Sequence, residues 1–177
     1  MKVFVCRICG DPYLGDESPD HCPFCGAERK FLVVSSVWKD EFDVELTDIS
    51  RKNLETALKL EVSATEFYRC VENTVKNTEI SKMFKSLRKV EAEHASLIKK
   101  FLKIDDNPEV EETCVDDVVA SLEESNRREE NAVKLYKQFA GEATEPRIKE
   151  IFEALAKVEE GHIVIDNIMI EKYSTTA

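Results

Sequence analysis

Apolar residues from Asp48 onward recur at intervals of three and four, the period of helices that turn one face to a core. The inner face of the first such stretch reads Leu54, Leu58, Glu61, Thr65, Tyr68; that of the second reads Phe84, Leu87, Glu91, His94, Ile98, Phe101. With Thr47, Asp48 or Ser50 as cap, the first helix runs to about Lys76, and the second from about Ser81 to Lys103. A third runs from about Val115 to Gly141, where the glycine is expected to terminate it, and a fourth from about Pro146 to Tyr173, since proline suits a first turn. Ser174 to Ala177 reads as a frayed end. Ahead of the helices, Val3-Phe4-Val5 and Phe31 to Val34 read as short strands. The chain is therefore expected to be mostly α: a small β domain over residues 1–34, a connection over 35–48, and a four-helix bundle over 49–177. Trp38, the single tryptophan, is expected to pack one domain on the other.

The helical part repeats itself. At an offset of 68 residues, without a gap, Glu61 matches Glu129, Tyr68 matches Tyr136, Leu87 matches Leu155, and Lys-Val-Glu-x-x-His ending at His94 matches the same pattern ending at His162. Each half reads as a helical hairpin, and two hairpins give a bundle with approximate twofold symmetry. Between them, Asp105 to Thr113 holds Pro108 and five acids. Nine or ten residues span roughly 30–35 Å, against about 38 Å for a helix of 25 residues. The reach is marginal, and exchange of a hairpin between two subunits would relieve it, so the expected assembly is a homodimer, swapped or not, or a larger homo-oligomer.

Glu and His three positions apart share one helix face and can address one ion. Glu91, His94, Glu159 and His162 form two such pairs, with Glu91 and Glu159 as bridges and Glu61 and Glu129 as terminal ligands. A solvated salt-bridge face explains most acidic helices. Here every candidate lies on the apolar stripe and obeys one offset, which points to a two-metal site. Four carboxylates and two imidazoles suit iron or manganese better than zinc. Tyr68 and Tyr136, two turns beyond Glu61 and Glu129, either hydrogen-bond a ligand carboxylate, quench a one-electron oxidant, or are plain core residues. Glu66, Glu93, Glu130 and Glu160 fall off the ligand repeat and are expected to be surface charge.

Cys6, Cys9, Cys22 and Cys25 form two C-x-x-C knuckles, each followed by glycine, a spacing that suits a tetrahedral four-thiolate site. Iron would make it a one-electron carrier and zinc a structural ribbon. His21 is expected to be a solvated turn residue, and Cys70 and Cys114 spare thiols, Cys70 facing away from the metals. The net charge of −11 disfavours nucleic acid as a partner and suits a cationic protein. No apolar run of about 20 residues exists, so no membrane span is expected; no leader pattern precedes Cys6, and a cytoplasmic setting is expected.

A four-cysteine domain with C-P-x-C-G joined to a bundle carrying two Glu-x-x-His motifs resembles the rubrerythrins over nearly the whole chain. The inverted domain order is similar to the reverse-rubrerythrin group. The resemblance implies a rubredoxin-like domain before a ferritin-like di-iron bundle, and a non-haem peroxidase that reduces hydrogen peroxide to water. It also implies one iron in the four-cysteine site, fed from NAD(P)H through a rubredoxin reductase or a free rubredoxin. Typical members carry an extra glutamate three residues before the position of Glu129; here Asn126 stands there. The symmetric six-ligand set leaves oxygen reduction or ferrous-ion oxidation as alternatives. The rival of another class is a zinc-ribbon binding module on a structural bundle. A route for electrons between subunits is also open, since a bundle interior and its own N-terminal domain need not be close.

Overall fold

The computed structural model describes residues 1–175. Three short strands, β1 (Lys2–Cys6), β2 (Pro12–Gly15) and β3 (Leu32–Val34), form an antiparallel sheet of order β2-β1-β3, with Phe4 opposite both Tyr13 and Val34. Four helices follow: α1 (Asp48–Thr74), α2 (Thr78–Leu102), α3 (Val118–Glu142) and α4 (Pro146–Ser174). No helix is long and apolar enough to cross a membrane among the described residues. The expected end at 174–177 begins later than read, since Ser174 is still helical; residues 176 and 177 lie outside the described residues.

Local chemistry sets the helix ends. The Thr47 hydroxyl accepts from the Ser50 N–H at the start of α1, and Asn77 accepts from two backbone N–H groups, which starts α2 at Thr78 and not Ser81. Asp117 caps α3 in the same way, so that helix starts at Val118. Gly141 does not terminate α3: it lies inside the last turn, with open space beside it and the helix ending at Glu142. The turn after α2 is made instead by Lys103, in the left-handed conformation (φ 56°).

The later start of α3 lengthens the crossing between hairpins to residues 103–117. About fifteen residues reach ~50 Å when extended, which exceeds the length of the bundle. With the connector counted in full, the reach from α2 to α3 is no longer marginal.

The small sheet does not stand apart. Ile8, Ala27, Phe31 and the four knuckle cysteines share one apolar cluster with Leu97, Ile98 and Phe101 of α2 and Ile151, Ala154 and Leu155 of α4. About 35 residues cannot bury an adequate core alone; here the bundle supplies the missing wall. Arg7 fastens the junction, donating from Nε to Glu41 Oε2 (3.0 Å) and from Nη2 to Glu41 Oε1 (3.2 Å), and reaching Glu150 of α4. The ring that joins the strap to the bundle is Phe42, 5.1 Å from Phe101; Trp38 is only half-buried.

Candidate metal centres

Cys6, Cys9, Cys22 and Cys25 are all buried, and their sulfurs converge. Each knuckle turns on a glycine with positive φ, Gly10 at 87° and Gly26 at 74°, whose N–H bonds back to the carbonyl of the first cysteine. The Cys6–Cys25 and Cys9–Cys22 sulfur pairs are both 3.8 Å apart. A tetrahedral ion with bonds of about 2.3 Å to sulfur sets its ligands ~3.8 Å apart, so the cradle fits a four-thiolate metal. Sharing of protons among the sulfurs pulls the Cys22 thiol down, chiefly through Cys25, and pushes Cys9 and Cys25 up, chiefly through Cys22. His21 stays exposed, bridging to Glu28.

The bundle brings Glu61, Glu91, His94, Glu129, Glu159 and His162 together in its interior, each at most 6% exposed. They fall into two overlapping groups, Glu61 with Glu91, His94 and Glu159, and Glu129 with Glu91, Glu159 and His162. Glu91 and Glu159 belong to both. His94 Nδ1 lies 3.0 Å from Glu91, 3.1 Å from Glu159 and 3.5 Å from Glu61. His162 Nδ1 lies 2.8 Å from Glu159, 3.1 Å from Glu91 and 3.5 Å from Glu129. Yet Glu91 Oε1, both Glu159 oxygens and His162 Nδ1 have no hydrogen-bond partner of acceptable angle. Lone pairs that crowd one point without bonding each other are arranged as ligands are around a cation.

Burial pushes Glu61 up to about 8 and holds Glu129 well above the carboxylate range. Burial also opposes ionisation of Glu91 and Glu159, but the two imidazoles outweigh it and lower both. The carboxylates in turn hold His94 and His162 well above the ordinary imidazole value despite burial. Protons therefore occupy the positions that cations would take, and metal must displace them.

The tyrosines cross between hairpins. Tyr68 of α1 donates to Glu129 Oε1 of α3, and Tyr136 of α3 donates to Glu61 Oε1 of α1. Seven residues put each tyrosine about 10 Å along the axis from the glutamate on its own helix. The antiparallel run of α1 against α3 brings it level with the other one. Ser125 backs Tyr68 at 3.1 Å. Asp166, one turn after His162, is fully buried, and burial raises its carboxyl to about 7. Sequence reasoning missed it, although a fully polar residue on an apolar stripe four positions after a ligand histidine was the available signal.

Two expectations fail. Cys70 and Cys114 are not spare thiols: they form a disulfide that ties the connector to α1, with Cα atoms 5.9 Å apart across 44 positions. Cys70 does face away from the metal ligands, and that outer position is what the connector meets. Glu93 is not surface charge: half-buried beside Asp11 and Cys9, its carboxyl is raised to about 7, first by burial and then by Asp11.

The centres also touch within one chain. The His94 ring, whose Nδ1 faces the carboxylates, donates through Nε2 to the Cys25 carbonyl at 2.9 Å. The bundle interior and its own N-terminal domain are thus one hydrogen bond apart, against the expectation that they need not be close.

Residues 52–119 and 120–176 match the rubrerythrin family, and residues 4–32 match the rubredoxin-like domain of rubrerythrin. Reverse rubrerythrin-1 of Clostridium acetobutylicum is 29% identical over 113 residues, which cover 58% of this chain and 62% of that protein's length. Two solved structures share the fold. A bacterioferritin of Rhodobacter capsulatus with a metal-free dinuclear site is 24% identical, with a TM-score of 0.62 over 76% of this chain and 91% of that one. A hypothetical protein of Pyrococcus furiosus is 20% identical, with a TM-score of 0.59 over 69% of this chain and 88% of that one.

Proposed function

The chain belongs to the rubrerythrin family, and on that premise we propose that it is a non-haem di-iron peroxidase that reduces hydrogen peroxide to water. The reaction takes two electrons and two protons per peroxide and gives two waters. The observation that carries this reading is the His94 ring, which faces the six-ligand cluster on one side and bonds the Cys25 carbonyl on the other. Iron held by Glu61, Glu91, His94, Glu129, Glu159 and His162 would break the O–O bond, while iron held by the four cysteines would return electrons singly.

The protein's own residues do the rest. Glu91 and Glu159 hold the two positions in register because each reaches both imidazoles. Tyr136 and Tyr68 fix the outer carboxylates, leaving Glu61 and Glu129 one free edge each toward the interior. Burial keeps a proton on Glu61 near neutrality in the metal-free cluster, and that proton would leave when a cation takes its place. Electrons enter from a NAD(P)H-linked rubredoxin reductase or a free rubredoxin at the knuckle face. Replacing Cys9→Ser is expected to abolish steady turnover with reductase while leaving one round of oxidation by peroxide; loss of both overturns the relay.

One observation favours a second reading, oxygen reduction or ferrous-ion oxidation. Glu130 is exposed and Asn126 bonds Asn167 on the outside of the bundle, so among the described residues the two bundle groups that could hold metal draw on the symmetric six side chains and on neither of these. Oxygen consumption without added peroxide, measured against peroxide turnover, separates the two.

A further inference from the structure

A cavity of about 200 Å³ opens between α1 and α3 and reaches all four ligand carboxylates. Its mouth is lined in pairs that obey the 68-residue repeat: Leu60 with Arg128, Ser63 with Asn131, Ala64 with Ala132. The opening therefore sits on the pseudo-twofold axis, on the side of the bundle away from α2 and α4, where the cysteine domain packs. The cavity's volume is many times the roughly 10–15 Å³ of such space that one water needs.

Two of the pairs differ, and only Leu60 with Arg128 sets an apolar side chain against a charged one. Leu60 has no counterpart of the network that holds Arg128. The guanidinium donates to Glu112 of the connector at 2.8 Å, to Ser63 at 3.0 Å and to Glu124 at 2.7 Å, and it stacks 4.3 Å from the Phe67 ring centroid. Ser63 in turn donates to Glu112, and two residues later Cys114 is bonded to Cys70. The arginine is thus clamped at the rim, its side chain 20% exposed, by a strap that is itself fastened to α1.

We propose that this opening is the route by which oxidant reaches the carboxylates, and that Arg128, clamped by Glu112, limits the size of the oxidant that passes. The proposal rests on the peroxidase reading for the identity of the oxidant, not for the existence of the route. An alkyl hydroperoxide would undergo the same chemistry, two electrons and two protons giving an alcohol and water, once it reached the site.

The test uses the iron-loaded, chemically reduced full chain. Oxidation by hydrogen peroxide and by tert-butyl hydroperoxide is timed, and separately the rate at which a ferrous chelator strips the bundle iron. Arg128→Ala is expected to raise the tert-butyl to hydrogen peroxide rate ratio about tenfold and to speed iron release by a similar factor. Glu112→Gln, which keeps the shape of the clamp and weakens it, is expected to move both in the same direction by less, and serves if Arg128→Ala fails to fold. An unchanged ratio in a folded variant overturns the assignment, whether or not both rates fall together. If neither peroxide oxidises the wild-type iron, the peroxidase reading fails by itself; the route then stands or falls on whether the variants release iron faster.

Discussion

The two hairpins offer the cluster the same ligands and place them in different surroundings. Glu61, Glu91 and His94 repeat as Glu129, Glu159 and His162, and each tyrosine serves the glutamate of the other hairpin. Behind His94, however, stands the Cys25 carbonyl, whereas Asp166 follows His162, and the first hairpin has Ile98 at the position equivalent to Asp166. At the mouth of the cavity, Leu60 of the first hairpin faces Arg128 of the second. The repeat builds the site, and the departures from it give the site a direction. The bond to the cysteine domain lies on the α2 side, where the proposed relay would deliver electrons, and the opening lies between α1 and α3.

The shared ligands test the symmetric part of this contrast. Glu91→Ala and Glu159→Ala are each expected to cost both bundle metals, because each carboxylate belongs to both groups. Turnover should fall about a thousandfold while the metal of the cysteine site stays. Metal analysis of both variants checks this; loss of one ion from one variant and two from the other would break the symmetry.

Asp166 tests the first departure. Its carboxyl is raised to about 7 by burial. Below about pH 4 it is protonated in folded and unfolded chains alike. As pH rises from there to 7 the unfolded chain gives up its proton first, so this group contributes stability at low pH that is gone above about 7. Asp166→Asn should flatten that slope and make the protein more stable at pH 8, by up to about 4 kcal/mol. Urea unfolding at several pH values measures it, and parallel curves for both proteins would refute the assignment.

Gly26 tests the contact of the small domain with the bundle. Its φ is +74°, and a Cβ there would stand 2.8 Å from Val158 Cγ1 of α4. Gly26→Ala should cost roughly 1–2 kcal/mol from the backbone alone and push the knuckle off the helix, slowing reduction of the bundle by about tenfold. Adding Val158→Ala should restore part of that rate, since it relieves the clash and not the φ strain. Rapid mixing with a reductant follows both.

Smallest is the tyrosine pair. Tyr68→Phe and Tyr136→Phe each remove one donor from a buried carboxylate, a loss of about 1–3 kcal/mol. By symmetry the two should slow turnover equally, by a few-fold; an effect on Tyr68 alone would point to its Ser125 partner.

Much of the site was legible because helical spacing and a fixed offset both act on residues close in sequence. Glu91 and His94 share a face for the same reason that Leu87 and Ile98 do. The knuckles were legible through cysteine and glycine spacing. What failed was of another kind. Gly141 has the identity of a terminator and sits within a regular helix, since permission for a left-handed turn is not a requirement for one. Cys70 was correctly turned away from the metals, but nothing in its own neighbourhood says that Cys114 would arrive there. Glu93 read as surface because the bundle alone would leave it so; the cysteine domain covers it.

Periodicity and spacing within a few turns suffice for the helices, their inner faces, the six side chains that meet in the interior and the convergence of the four cysteines. Which glutamate each tyrosine meets, that the Cys25 carbonyl stands behind His94, and where the connector lies depend on how whole elements pack. Those contacts join residues 44 to 75 positions apart. Local backbone geometry says which way a side chain points, and only the packing of whole elements says what it finds there.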